Sequence, residues 1–196
     1  MKFPRTPHIP GSHGTSDDLM LSSFSLESEV IATEKMDGSN IMMNNQKFVT
    51  RKGETSYADW TYPARKVWEN IFYTIPDGYW IAGELLTWRK CIAYDNLPGD
   101  FLAFSVIKDN MILDWDSAEK IINLVGLPLV PVIARGDYDS VHKKCHEWMN
   151  DTHEGFVIRS TGSFDIENYG DHVAKFVGDH HTPVEFNNGK NTIVTE

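Results

Sequence analysis

Val30-Ile31-Ala32-Thr33-Glu34-Lys35-Met36-Asp37-Gly38-Ser39-Asn40-Ile41-Met42-Met43-Asn44-Asn45-Gln46-Lys47-Phe48-Val49-Thr50 is the stretch whose reading decides the fold. Short apolar runs alternate in it with turn signals: Val30 to Ala32, Asn40 to Met43, an Asn44-Asn45 turn, then Lys47 to Thr50, the pattern of a strand meander. Lys35 ends the first β-branched run, and Gly38 allows a tight turn or a close backbone approach to a ligand. Strand alternation sets Lys35 and Asp37 on the same face. A lone K-x-D-G also describes many solvated strand ends, so its weight depends on its surroundings.

Working outward, Trp60, Ala64, Val67, Trp68, Ile71, Phe72 and Ile75 recur at three- and four-residue steps, which predicts a helix from about Pro63 with one apolar, core-facing stripe. Strands are expected at Tyr79 to Leu86 and Phe101 to Ile107, the second turning at Asp109-Asn110 into Met111-Ile112-Leu113. A second helix runs from an Asp116 or Ser117 cap to Gly126, a strand from Leu129 to Ala134, and a third helix from Ser140 to Met149. Two more strands follow, at Gly155 to Arg159 and His172 to Val177. Residues 1–29, rich in Pro, Gly, Ser and His, lack periodicity and read as a loop or arm of the same unit. With no repeat or composition break, residues 1–196 are expected to form a single α+β domain in which strands dominate and helices pack outside.

The composition is that of a soluble globular protein, with 41% hydrophobic and 23% charged residues. No signal-type apolar region or membrane-length run is present, so a cytoplasmic location is the default, the host cytoplasm for a phage-encoded chain. Cys91 and Cys145 match neither a metal spacing nor a redox pair and read as reduced thiols. A net charge of −10 opposes broad nucleic-acid affinity, so any nucleic-acid surface must be local.

Downstream of Glu34-Lys35-Met36-Asp37-Gly38 come Arg51 after a hairpin, Gly83-Glu84-Leu85 and Phe104 in strands, Glu154-Gly155-Phe156-Val157-Ile158-Arg159, and Ala174-Lys175-Phe176-Val177. This series resembles the ordered motifs of covalent nucleotidyltransferases, the superfamily of DNA ligases, RNA ligases and capping enzymes. Within it the chain looks most like the RNA ligase family, chiefly its phage and bacterial members. Phe3-Pro4-Arg5-Thr6-Pro7-His8-Ile9-Pro10-Gly11, Tyr94-Asp95-Asn96-Leu97-Pro98 and Gly126-Leu127-Pro128-Leu129-Val130-Pro131-Val132 extend the resemblance over nearly the whole chain. It implies antiparallel β-sheets around a nucleotide cleft with flanking helices, like the adenylyltransferase domain of ATP-dependent ligases.

The resemblance also implies roles. Lys35 attacks the α-phosphate of ATP and carries AMP; AMP then passes to the 5′-phosphate of an RNA end and is displaced by a 3′-hydroxyl. Glu34, Lys35, Asp37, Gly38, Arg51, Glu84, Phe104 and Lys175 would bind the nucleotide, with Phe104 stacking on adenine and Lys175 at the α-phosphate. Glu154 and Glu84 would hold Mg²⁺ or Mn²⁺, and Lys35, Lys175 and Glu154 would be catalytic. Such chemistry needs positioning, a cation at the phosphate and carboxylates for the metal, which these residue types supply. Two departures stand out: Val173-Ala174-Lys175 has one amine where many members have two, which shifts phosphate work toward Arg159 or Lys190, and Phe104-Ser105 replaces a common Phe-Asp pair.

His8, His13, His153, His172, His180 and His181 fit no compact zinc spacing. Arg5, His8 and His13, with His180 and His181, are expected instead to line a polynucleotide path. There is no room for an appended OB-fold, so a protein partner supplying a substrate-binding module is an expectation. The rival readings are an RNA guanylyltransferase and a non-catalytic nucleotide- or RNA-binding protein on a ligase fold.

Overall fold

The computed structural model describes residues 1–14, 18–179 and 189–193. Its strands are β1 (Val30–Glu34), β2 (Ser39–Met43), β3 (Phe48–Thr50), β4 (Tyr79–Leu85), β5 (Phe101–Lys108), β6 (Met111–Ile112), β7 (Val132–Gly136), β8 (Gly155–Ser160), β9 (Phe164–Asp165) and β10 (Val173–Val177). The helices are α1 (Tyr62–Ile71), α2 (Trp115–Leu124), α3 (Tyr138–Trp148) and the single turn α4 (Tyr169–His172). The strands form two sheets, ordered β10-β8-β1-β7 and β3-β2-β4-β5-β6-β9, with antiparallel pairing throughout. The expected α+β architecture of antiparallel sheets with helices outside is what the chain adopts.

Side-chain alternation sorts the larger sheet into two faces. Ile41, Met43 and Ile81 point toward a core completed by Ala64 and Ile71 of α1 and by Ala118 and Ile122 of α2. Met42 and Ala82, paired across β2 and β4, point the other way and meet Phe3, Tyr169 and Val173. On the smaller sheet, Val30, Ala32, Phe156, Ile158 and Ala174 pack against Val141 and Cys145 of α3. Each sheet thus has helices behind it, which leaves the opposite faces to border a cleft.

Three expectations need correction. Helix α2 is capped by Asp114, whose side chain accepts from the Ser117 backbone N–H at 2.9 Å, and α3 by Asp137, which accepts from Ser140 N–H at 3.0 Å. Both helices begin earlier than expected because the aspartate three residues before each serine is the better-placed acceptor. Trp60 lies in a 3-10 turn (Asp59–Thr61) before α1 and is 40% exposed, so it is not part of the apolar stripe's core. Leu129 makes only an isolated bridge to Ala103, and the strand begins at Val132.

The N-terminal arm has no helix or extended ladder among its described residues, yet it is pinned. His8 forms parallel bridges to both Met20 and Lys175, extending the smaller sheet beyond the edge strand β10. Among the described residues no helix is long and apolar enough to cross a membrane.

Candidate active site

β1 belongs to the smaller sheet and β2 to the larger, so residues 35–38 carry the chain from one sheet to the other. Gly38 lies against the larger sheet so closely that a Cβ there would stand 2.4 Å from the Leu85 carbonyl oxygen and 2.7 Å from Glu84 Cγ. This approach is the reason for glycine at 38. At the other end of the crossing, the Lys35 backbone N–H donates to the Gly155 carbonyl at 2.9 Å, which fixes the lysine beside Glu154. The Lys35 ammonium donates to Glu154 Oε1.

A cleft of about 870 Å³ opens around that pair. From the smaller sheet and its connections come Glu34, Lys35, Asp37, Gly38, Glu154 and Lys175; from the larger come Arg51, Glu84 and Phe104. All eight residues expected at a nucleotide, together with Glu154, expected at the metal, therefore border one cavity. Phe104 reaches it through a β-bulge: Ala82 pairs with Ser105 and Gly83 with Ala103, so residue 104 has no partner on β4. Plain alternation would put Phe104 and Ser105 on opposite faces, whereas the bulge turns both toward the cleft. The ring of Phe3 meets Phe104 edge-on with centroids 5.5 Å apart.

Burial shifts three titratable groups of the cleft. Burial raises the Glu84 carboxyl to about 7 and the Glu34 carboxyl to about 7, the latter helped by the nearby Glu154 charge. Burial, with Lys35 and Arg51 as like-charged neighbours, lowers the Lys175 ammonium, while Asp18 and Glu154 act in the opposite sense. Asn40 Oδ1 and Ser105 Oγ are buried without a hydrogen-bond partner among the described residues, and both residues line the cleft. Buried polar atoms are nearly always paired, so these two mark a surface shaped for a ligand.

Asp37 borders the cleft but its carboxylate is turned to structure. Its Oδ2 accepts from the backbone N–H groups of Cys91 (2.6 Å) and Ile92 (2.9 Å), and its own N–H donates to the Tyr94 hydroxyl at 2.8 Å. It anchors the segment 88–97 over the lysine motif. Asp37 does not share a strand face with Lys35, because β1 ends at Glu34 and both residues lie in the crossing.

Of the two residues expected to take over phosphate work, Arg159 borders the cleft and Lys190 is not among its lining residues. The Arg159 guanidinium is buried, donates to the carbonyls of Ser160 and Leu113 at 3.0 and 2.8 Å, and lies against the rings of Phe164 and Trp115. Burial brings its pKa down to about 10. Lys190 sits over the Trp88 ring and does not line the cleft. His8, expected on a polynucleotide path, is 2% exposed with its Nδ1 2.7 Å from Ser12 Oγ, so it works inside the protein. Arg5 and His13 are exposed, while His180 and His181 lie outside the described residues.

Sequence reasoning passed over Asp18, which stands 3.8 Å from the Lys175 ammonium, and Tyr94, whose hydroxyl supports Asp37. Tyr94 was visible as part of a familiar segment. Asp18 lay in a stretch without any periodicity to direct attention to it.

Comparison with known proteins bears on the fold and the family. An archaeal ATP-dependent RNA ligase, form 1, superposes with a TM-score of 0.64 at 16% identity, covering 91% of this chain and 48% of its own. Form 2 of the archaeal enzyme gives 0.60 at 16% identity over 80% and 44%. An RNA ligase of Naegleria gruberi, solved as a lysine variant with ATP and Mn, gives 0.55 at 13% identity over 91% and 62%. These are likenesses of fold, and the chain spans about half the length of the archaeal structures. No curated protein matches it in sequence. The sequence model of the RNA ligase family matches residues 28–177, and the chain belongs to that family.

Proposed function

We propose that residues 1–196 act as the nucleotidyltransferase unit of an ATP-dependent RNA ligase working in RNA repair in the cytoplasm. The observation that carries this reading is the Lys35–Glu154 ion pair in a cleft also bordered by Arg51, Glu84, Phe104 and Lys175. An amine attacks only through its lone pair, so Lys35 must first lose a proton, and the Glu154 carboxylate is the base already in contact with it. The Lys35 nitrogen then forms a bond to the α-phosphorus of ATP as the bond to pyrophosphate breaks. Lys175 and Arg51 supply positive charge to the phosphates, and Phe104 offers an aromatic face to the adenine. AMP next passes from Lys35 to the 5′-phosphate of an RNA end, and a 3′-hydroxyl displaces it to close the strand.

The residues present suit a hard divalent cation. Among the described residues no three His, Cys, Asp or Glu side chains converge on a metal position. Mg²⁺, however, commonly takes one or two carboxylates together with substrate phosphates and water. Glu84 and Glu154 are the pair that would hold Mg²⁺ or Mn²⁺, and that ion would neutralise charge developing on the phosphates. The RNA-binding surface involves the exposed Arg5, and a protein partner supplies any further substrate-binding module.

Intact-mass spectrometry after incubation with ATP and Mg²⁺ tests the reading. The expected result is one AMP adduct that is absent from Lys35→Ala and absent with GTP. An unchanged adduct in Lys35→Ala, or none in the wild type, overturns it. Joining of RNA strands bearing 5′-phosphate and 3′-hydroxyl ends tests the remaining steps.

A further inference from the structure

We infer that Asp18, held in place by His8, is a positioning residue for Lys175. This rests on the proposed role of Lys175 at the phosphate. The N-terminal arm reaches Lys175 through backbone contacts first: Lys175 N–H donates to the Pro7 carbonyl and Ile9 N–H to the Lys175 carbonyl, each at 2.9 Å. On its other side His8 is paired with the 19–21 segment, donating to the Leu19 carbonyl at 2.7 Å and accepting from Leu21 N–H at 2.9 Å. His8 is thus clamped between β10 and the segment that carries Asp18.

The side chains continue the linkage. Ser12 Oγ accepts from the Val177 backbone N–H at 2.9 Å. Its single proton is better directed to His8 Nδ1, 2.7 Å away, than to the His13 carbonyl at 3.3 Å. That assignment leaves the proton of a neutral imidazole on Nε2, which lies 3.4 Å from Asp18 Oδ1 outside hydrogen-bond geometry. The same oxygen lies 3.8 Å from the Lys175 ammonium. Asp18 therefore stands between the His8 ring and the Lys175 cation, and the backbone bonds of His8 and Lys175 join the arm, strand β10 and the lysine in one connected unit. Burial and the Lys175 charge both lower the His8 pKa, which favours the neutral ring.

The charged groups around the Lys175 amine are Asp18 on the arm, Lys35 in the sheet crossing, Arg51 after β3 and Glu154 before β8. Two of these are cations that oppose its protonation, so Asp18 serves both to aim the amine and to keep it charged. Without Asp18 the amine loses its proton at lower pH and is free to swing away from the phosphate.

The test compares wild type, Asp18→Asn and Asp18→Glu by single-turnover formation of the AMP adduct across pH. In parallel, mass-mapped acetylation of the Lys175 amine is followed against pH without ATP. Asp18→Asn is expected to slow adduct formation about fivefold or more. Its alkaline decline should begin at lower pH and Lys175 should acetylate at lower pH, with the melting temperature unchanged. Asp18→Glu should recover most of the rate. Unchanged rate and pH profile in Asp18→Asn overturn the inference, as does a slower rate accompanied by unchanged Lys175 acetylation. If the wild type forms no adduct, it is the proposed function that fails. The acetylation profile then decides the role of Asp18 alone, an unchanged profile overturning it.

Discussion

Glu34 and Glu84 are carboxylic acids held close to neutrality by the protein around them, each raised from 4.5 to about 7. A folded-state pKa above the unfolded value means that the native protein binds protons more tightly than the unfolded chain between those limits. The two groups therefore favour the fold at low pH, and that contribution is lost as pH rises from about 4.5 to about 7. Glu84→Gln is expected to melt a few degrees higher than wild type at pH 8 and to match it near pH 4.5. The same variant should lower the rate of adduct formation, since a nucleotide and its metal gain from the carboxylate. Thermal melts at the two pH values and single-turnover kinetics check both halves, and equal melting at pH 8 would contradict the first. At this scale the sequence was a good guide to which residues meet and a poorer one to what they do there. Lys35, Glu84, Phe104, Glu154 and Lys175 were identified by type and order, and they share a cavity. Asp37 and His8 were also singled out, but Asp37 Oδ2 and His8 Nδ1 are engaged by protein partners, which only coordinates reveal.

Among the elements, the pairing of β8 with β10 decides whether the site exists, because it aligns the residues flanking Glu154 with those flanking Lys175. Gly155 lets the two strands close up: a Cβ at that position would lie 1.9 Å from the Phe176 carbonyl oxygen. Backbone rather than a flexible side chain is in the way, so the strands would have to separate. Gly155→Ala is expected to destabilise the protein by about 3 kcal/mol or more and to abolish adduct formation even where it still folds, as urea unfolding and intact-mass analysis would show. Wild-type stability and activity in that variant would mean that β8 and β10 are more loosely joined than described. The strands and helices themselves were legible from alternation and from three- and four-residue spacing, since those periods follow directly from burial on one face. The helix starts shifted because Asp and Ser are both good caps, and the Asp114-to-Ser117 and Asp137-to-Ser140 spacings offer two candidates each. The bulge at Phe104 was not legible, because nothing in Ala103-Phe104-Ser105 marks the residue that will go unpaired.

Across the whole molecule, the cleft draws its walls from two sheets joined by the 35–38 crossing and by two packed clusters, one around Phe3, Met42, Tyr169 and Val173 and one around Ile31, Leu86, Leu102 and Trp115. A nucleotide that contacts both sheets should tie them together. ATP with Mg²⁺ at a hundredfold excess over its dissociation constant is expected to add about 2.7 kcal/mol of stability. Lys35→Ala should retain most of that gain, because Arg51, Phe104 and Lys175 remain to bind. Thermal melts against ATP concentration check this, and a variant with no response would place nearly all binding on Lys35. The two-sheet arrangement was legible in outline through the motif order, whereas the extra edge formed by the N-terminal arm was not. That arm carries no periodic pattern because it pairs through single bridges and not along a ladder.

The position of β1 between β7 and β8 has a consequence in time. Lys35 is synthesised 119 residues before Glu154, and both neighbours of its strand come from the later part of the chain. During synthesis Lys35 emerges long before Glu154, Lys175 or even the strands that will flank it. Contacts so distant in sequence form late. A ribosome-bound chain therefore carries Lys35 without the cleft around it, and the proposed reaction with ATP has to wait until the last strands close.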